Sequence, residues 1–367
     1  MADLRVAIVH DWLTGFRGGE MVLEQLLHLF PTADLHTLLH VKGSTSPSIE
    51  TRKVHTSFLQ HLPFVRKHYR WFLPLMPMAV EMLDVSRYDL VLSSSHCVAK
   101  GVLVPPGCLH VGYLHTPMRY VWDQARTYFG AKRSPLALLR QHVLSRLRVW
   151  DVVSANRVDH FVANSQFVKE RIWKYYRRDA QVIHPPCDTG YFSNIMEEKQ
   201  DFFLMVSALN PYKRIEVAID VFNRLNKRLV IVGYGPLYKR LRRRAGSCIT
   251  FLQRIPRPRL RSLYQQARAL IQVAKEDFGI ATIEAQAALT PVIAFGGGGA
   301  GETVRHGKTG ILFAEQNAQA LKKAVDTFDR ITFNEGDFRQ HVKNFSCEVF
   351  REKMLGFLTE RGIQDLC

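Results

Sequence analysis

From residue 4 to residue 295, short apolar segments alternate with amphipathic ones, and this limits the chain to a small set of folds. Residues 4–10 (Leu-Arg-Val-Ala-Ile-Val-His) read as a buried strand. A turn with Gly15, Gly18 and Gly19 follows, and residues 20–30 then place Val22, Leu26, Leu27 and Phe30 at helical spacing. The pattern predicts further strands at 89–93, 110–115, 160–164 and 181–184, a long helix over 136–158, and a basic helix that Ser165 caps and that runs to about residue 176. After Pro185-Pro186 a second series begins: strands at 202–207, 228–233, 249–252, 270–273 and 291–295, helices at 215–225, 236–245, 258–267 and 280–288. Strands this short and apolar on both sides, each followed by a helix, belong to parallel sheets covered on both faces. The predicted fold class is therefore α/β, with two doubly wound, Rossmann-like domains facing a cleft. The domains are 1–188 and 189–345; residues 337–366 are helical in pattern, and 346–367 are expected to pack back on the first domain.

At 367 residues and 47% apolar content the chain can fill two ordinary cores. No apolar run approaches the roughly 20 residues of a membrane-spanning helix; the longest candidate, 71–80, is interrupted by Pro74 and Pro77. The N-terminus lacks the shape of a signal peptide. The six cysteines have the spacing of neither a zinc site nor a disulfide framework, so a cytoplasmic protein is expected. The net charge of +17 is spread over clusters such as Arg66-Lys67, Arg177-Arg178 and Arg242-Arg243-Arg244. Such a field attracts nucleic acid, anionic lipid or phosphorylated substrates, or is simply a solvated basic surface.

Ligands of open parallel sheets bind beyond the carboxyl ends of the strands, and three loops of the second series lie there. Lys213 and Arg214 precede a helix, where they can neutralise a diphosphate; the alternative is a surface turn. Glu276, Asp277, Phe278, Gly279 and Ile280 open the next helix, and Glu284 follows two helical turns after Glu276. These carboxylates can hold sugar hydroxyls, or can merely supply favourable charge at a helix start and on a solvated face. Gly296 to Gly299 lead into another helix, and glycine lets backbone amides approach a phosphate closely; a flexible turn is the alternative. Gly233 and Arg254 sit in loops suited to contacting a nucleotide base. In the first series, Gly18 and Gly19 open a helix without the full dinucleotide spacing, which argues against a nicotinamide cofactor. His115, Asn164, Ser165 and Asp11 sit at strand ends, and Ser94-Ser95-His96 has no nucleophile-elbow spacing. No Asp-x-Asp motif or metal-ligand cluster is present, so no metal is expected.

Together these residues resemble the retaining glycosyltransferases of family 4, which have the two-domain GT-B fold. The resemblance rests on residues 10–20 (His-Asp-Trp-Leu-Thr-Gly-Phe-Arg-Gly-Gly-Glu), 115–123, 162–165, 184–188 and 211–214, and on Glu276 with Glu284, spaced like that family's paired glutamates. The likeness is greatest to bacterial mannosyltransferases that build O-antigen or exopolysaccharide from GDP-mannose. It implies transfer of a hexose, mannose from GDP-mannose, to a lipid-linked saccharide, with no cofactor beyond the nucleotide-sugar donor. A UDP-sugar donor, or a sugar-nucleotide epimerase or hydrolase of the same fold, is the alternative. By resemblance, Lys213 and Arg214 meet the diphosphate with the amides of Gly297, Gly298 and Gly299. Glu276 orients the hexose, Glu284 holds the ribose, and His115 lies near the sugar. Gly18, Gly19, Asn164 and Ser165 form an acceptor or phosphate loop. The sequence departs from the family at Ser207-Ala208, where many members carry Gly-Arg, and Arg214 is expected to take over that charge. No nucleic-acid motif accompanies the basic charge. The segment 64–72, Phe-Val-Arg-Lys-His-Tyr-Arg-Trp-Phe, suggests contact with an anionic membrane surface, at the inner face of the cytoplasmic membrane; its alternative is partial burial with solvated cations.

Overall fold

The computed structural model describes residues 4–125, 135–194 and 196–363. The predictions that reach residues 1–3 and 364–367 lie partly outside these. The chain forms two compact units: Met1–Pro186 with Phe350–Cys367, and Cys187–Val349.

In the first unit the strands are β1 (Val6–His10), β2 (Asp34–Thr37), β3 (Val54–Thr56), β4 (Leu90–Ser95), β5 (Leu109–Leu114), β6 (His160–Ala163) and β7 (Gln181–Val182). They pair in parallel in the order β3-β2-β1-β4-β5-β6-β7. Every residue of β1 and β4 is buried, as expected for a sheet covered on both faces. On one face Val22, Leu23, Leu26 and Leu27 of the helix Gly18–Leu29 pack on Val6, Ile8 and Leu92. Phe350, Met354, Phe357 and Leu358 of the C-terminal helix Cys347–Thr359 join the same core. Burying each such side chain contributes roughly 1.5–3 kcal/mol.

The second unit repeats the winding with β8 (Phe203–Val206), β9 (Leu229–Val232), β10 (Ile249–Leu252), β11 (Ala269–Gln272), β12 (Val292–Phe295) and β13 (Gly310–Phe313), ordered β10-β9-β8-β11-β12-β13 and all parallel. The helix Ile215–Leu225 buries Ile215, Ala218, Ile219 and Phe222, at the three- and four-residue spacing of one helical face. In each sheet the winding direction reverses beside the first strand, between β1 and β4 and between β8 and β11. A crevice opens at such a point beyond the carboxyl ends of the strands.

Several elements escaped the periodicity. β2 reads Asp-Leu-His-Thr, and its buried His36 and Thr37 carry no apolar signal. β3 has three half-buried residues. β13 and the helix Ala318–Phe328, capped by Asn317, follow the glycine run. The 58–82 segment is a series of short helical turns ending in Met76–Glu81, because Pro74 and Pro77 prevent a longer helix. The long helix runs Pro135–Ala155, stopping three residues before the predicted end.

Candidate active site

In the second unit the loop after β8 forms a 3-10 turn, Pro211–Lys213, and Arg214 takes a left-handed conformation (φ 53°) before the helix Ile215–Leu225. That bend turns Lys213 toward the loop after β11, where its Nζ pairs with Glu276 Oε1. The amide of Gln272, the last residue of β11, donates to the same oxygen at 3.2 Å. Both members of the pair are 13% exposed, so the ions are shielded from bulk water but open to one side. Arg214 does not join them. Its side chain is 47% exposed, and its Nε lies 3.3 Å from Glu216 Oε1, so the expected diphosphate cation rests on a neighbour of its own helix.

The glycine run closes over this loop from β12. Gly298 has φ 88°, and a Cβ there would lie 2.4 Å from the Glu276 carbonyl oxygen. A Cβ at Gly299 would lie 2.4 Å from Phe278 Cα. The Gly299 amide donates to the Glu276 carbonyl at 2.9 Å. Gly298 and Gly299 are thus required by backbone-to-backbone approach, and with the Gly299 amide engaged the amides suited to a phosphate narrow to Gly297 and Gly298. The Phe278 side chain turns into the core: its ring is buried, 5.8 Å from the Phe345 ring. Gly279 (φ 90°) is the N-cap of the helix Ile280–Ala287, and Ile280 begins that helix, partly buried against the core. Asp277 is half-buried in the same loop. Glu284 comes little more than one turn into this helix, since the residues from Glu276 to Gly279 are not helical. It accepts a 2.8 Å hydrogen bond from the Tyr264 hydroxyl. Burial raises its carboxyl above the usual carboxylate value, opposed by the Tyr264 hydrogen bond and by Arg257. Gly233 has a backbone role: a Cβ would lie 1.9 Å from the Ser207 carbonyl oxygen. The Arg254 guanidinium stacks 5.0 Å over the Tyr234 ring and so ties together the loops after β9 and β10.

In the first unit the reversal point is polar. His10 and Ser94 are register partners at the ends of β1 and β4. The Ser94 hydroxyl lies 3.1 Å from His10 Nδ1 and 2.9 Å from His115 Nε2. Burial, with His96 and His10 nearby, holds the His115 imidazole well below the ordinary histidine value, so it is neutral at pH 7. Asp11 is fully buried and accepts four backbone amides, from His96 to Ala99, at 2.6–2.9 Å. Burial opposes its charge, but His96 and these amides hold the carboxyl well below the carboxylate range. Asp11 in turn raises His96, whose Nδ1 lies 3.0 Å from Asp11 Oδ2. Gly18 starts the first helix, and Gly19 packs against His10 and His115.

Asn164 and Ser165 are engaged within the protein. The Asn164 amide donates to the His115 carbonyl at 2.9 Å, and Ser165 accepts from the Val168 amide as an N-cap. The 115–123 stretch is anchored by Arg171, which donates to Thr116 (2.7 Å) and Asp123 (2.9 Å), and by Trp122 donating to Asp151 (2.7 Å). Sequence reasoning missed Gln272 and Tyr264, and it did not pair His10 with Glu20 or His96 with Asp11. For Gln272, His10, Asp11 and His96 the available signal was their position at strand ends beside the reversal points, whereas Tyr264 and Glu20 lie on helices. Among the described residues no group of three or more His, Cys, Asp or Glu side chains is arranged to hold a metal ion.

Comparison with known proteins adds three findings. Residues 16–191 match the family described as Glycosyltransferase Family 4, and residues 191–339 match Glycosyl transferases group 1. The chain is 40% identical over 234 residues (54% of this chain, 52% of the relative) to D-inositol 3-phosphate glycosyltransferase of Rhodococcus opacus. It is 31% identical over 138 residues (33% and 36%) to the GDP-mannose-dependent alpha-(1-6)-phosphatidylinositol monomannoside mannosyltransferase of Mycobacterium tuberculosis. The match spans about half the length, or less, of these curated relatives. Among solved structures, Anabaena HepE in complex with UDP and glucose superposes with a TM-score of 0.71 at 16% identity, covering 97% of this chain and 100% of that one. The fold is GT-B, with two all-parallel Rossmann-like sheets.

Proposed function

We propose that this chain, whose residues 16–191 match Glycosyltransferase Family 4 and whose residues 191–339 match Glycosyl transferases group 1, transfers a hexose from a nucleotide sugar to a saccharide acceptor with retention at the anomeric carbon. The observation that carries this reading is the Lys213–Glu276 pair at the mouth of β8 and β11, covered by the glycine turn.

A nucleotide sugar is already activated, so the main task is to stabilise the departing diphosphate. Lys213 is the cation placed for it. A diphosphate competes with Glu276 for the ammonium, and the displaced carboxylate is then available to hexose hydroxyls. The amides of Gly297 and Gly298 add donors that need no reorganisation. Arg214 contributes by leaving Glu216, a pair exposed enough to be weakly held. Glu284, oriented by Tyr264, takes the ribose. His115, neutral, shapes the surroundings of the reacting sugar. Charge on the leaving group is met by side-chain cations and amides in this scheme, and activity is expected to survive EDTA.

The donor we propose is GDP-mannose and the acceptor a lipid-linked saccharide of cell-surface polysaccharide or lipopolysaccharide synthesis. The mycobacterial mannosyltransferase supports both choices by its donor and its lipid acceptor. The Rhodococcus relative favours a second reading, a phosphorylated inositol as acceptor. A bilayer is the proposed partner of the first unit, at the inner face of the cytoplasmic membrane. Phe64 and Trp71 are 78% and 75% exposed, beside exposed Arg66, Lys67 and Arg70. Glu81, the one acid between residues 58 and 82, is engaged by Trp150 (2.8 Å) and Arg157 (2.7 Å). Among the described residues no helix is long and apolar enough to cross a membrane.

The test is a panel of GDP- and UDP-sugars offered with lipid-linked saccharides or inositol 3-phosphate, with the anomeric configuration of the product read by NMR. Retained mannosyl product from GDP-mannose alone supports the reading. Another donor overturns the substrate, and donor turnover without acceptor points to an epimerase or hydrolase. Salt-dependent sedimentation with anionic vesicles, absent with neutral ones, tests the membrane surface.

A further inference from the structure

We infer that Glu20, His10 and Ser94 are positioning residues that fix the tautomer of His115, with its Nε2 proton donated to Ser94 and its Nδ1 left as an acceptor. This rests on the reading of His115 as a group that meets the reacting sugar.

The Ser94 hydroxyl lies between two imidazoles, 3.1 Å from His10 Nδ1 and 2.9 Å from His115 Nε2. It has a single proton, so it donates to one ring and accepts from the other. Neither imidazole chooses its tautomer alone, and the direction of the chain is set at its far end. There His10 Nε2 is buried and faces Glu20 Oε1 at 3.9 Å, an electrostatic contact rather than a hydrogen bond. Burial disfavours the Glu20 carboxylate, but His10 and the Glu20 backbone amide hold it below the usual carboxylate value, and its other oxygen accepts from the Arg17 amide at 2.9 Å. A lone pair on His10 Nε2 would face that negative charge; an N–H faces it favourably, and at this burial the difference is weakly screened.

With His10 as a neutral ring, the rest follows from valence. His10 carries its proton on Nε2, so Nδ1 is a lone pair and takes the Ser94 proton. The Ser94 oxygen then accepts from His115 Nε2–H, and His115 Nδ1 carries none. The other ionic pair nearby, Asp11 with His96, satisfies itself at 3.0 Å and leaves the direction to Glu20. Glu20 is brought to His10 by the helix start: a Cβ on Gly19 would lie 3.6 Å from His10 Cε1 and 3.8 Å from His115 Nε2, so the turn rests directly on both rings. An imidazole in this state receives a hydrogen bond at Nδ1 from a sugar hydroxyl and cannot donate one there.

Long-range proton–nitrogen correlation spectra of the full chain labelled with 15N-histidine, assigned with His115→Asn, test this at neutral pH. His115 is expected to show one protonated Nε2 and one unprotonated Nδ1. Ser94→Ala and Glu20→Gln should each replace this with averaged shifts of both nitrogens. A proton on Nδ1 in the unaltered protein overturns the proposal, as does a His115 signal that neither substitution moves. The unaltered protein is decisive even where a variant fails to fold. If the tautomer is as stated but no nucleotide sugar is turned over, the proposed function fails and the positioning chain stands.

Discussion

Around its reversal point the first sheet buries ions that already have protein partners, whereas the second keeps the Lys213–Glu276 pair partly open at the mouth. Among the described residues Asp11, Glu20, Lys100, Asp151 and Arg171 are buried in the first unit. The second unit buries Gln272, Gln286, Thr282, Thr290 and Thr303 instead, and Lys213 and Glu276 stay partly open. The buried ions already have protein partners, as Asp11 has four amides and Lys100 has Asp151 at 2.9 Å. Removing one partner of such a pair is costly, so these groups hold geometry. The open pair can exchange one partner for another, which is what a group that binds and releases a diphosphate must do. Under the proposed function two sheets wound alike are used differently: one as a fixed polar frame, the other as a place of exchange.

The largest test of this contrast is Lys213→Ala. Transfer should fall by about 10²–10³-fold, as when a group stabilising a leaving or oxyanionic charge is removed, while thermal unfolding changes little. A collapse of stability instead would show that the pair is structural, and the contrast would fail. Next is Gly298→Ala, which places a methyl against the Glu276 carbonyl at φ 88°. A cost of about 1–3 kcal/mol is expected from the strain, together with loss of transfer, measured by urea unfolding and initial rates.

The polar frame predicts acid sensitivity in the first unit. Burial, reinforced by Lys100 and Arg157, pushes His110 down to about 3, and burial with His55 nearby lowers His36 to about 4. Unfolded histidine titrates near 6.5, so between that value and the folded one the unfolded chain binds more protons. The stability from keeping these rings neutral is therefore fully present above about pH 6.5 and is lost as pH falls toward the folded values, by on the order of a few kcal/mol. All five tryptophans lie in the first unit, so urea unfolding followed by tryptophan fluorescence between pH 7 and 4 reports on it directly. A midpoint that does not move would break the contrast. The smallest effect belongs to Arg214→Ala: an exposed pair contributes about 0–1 kcal/mol, so stability should hold, and a moderate rise in donor KM is expected. Unchanged kinetics would leave Lys213 as the cation for the diphosphate.

Much of the fold was legible because the strands that matter, β1, β4, β8, β11 and β12, are covered on both faces and so open on apolar runs, with polar residues such as His10, Ser93 to Ser95 and Gln272 confined to their carboxyl ends. Ser165 as an N-cap was legible too, since that role depends on local backbone geometry. β2 was not, because its buried His36 pairs with the Tyr88 hydroxyl at 3.1 Å, and polar satisfaction leaves no periodicity in sequence.

The sequence by itself determined two series of parallel strands, the break near Pro185-Pro186, and the loops that hold Lys213, Glu276 and the glycine run. These follow from local propensity and from the spacing of apolar residues. Only the tertiary structure decided that Lys213 meets Glu276 rather than solvent, that Gly299 gives its amide to a carbonyl, that Phe278 turns into the core, and that Arg214 rests on Glu216. It also brought His10, Ser94 and His115, which lie 84 and 21 residues apart, into one hydrogen-bonded chain. Pairings between distant loops depend on how adjacent strands are ordered in the sheet, and strand order is a property of packing that no local pattern carries.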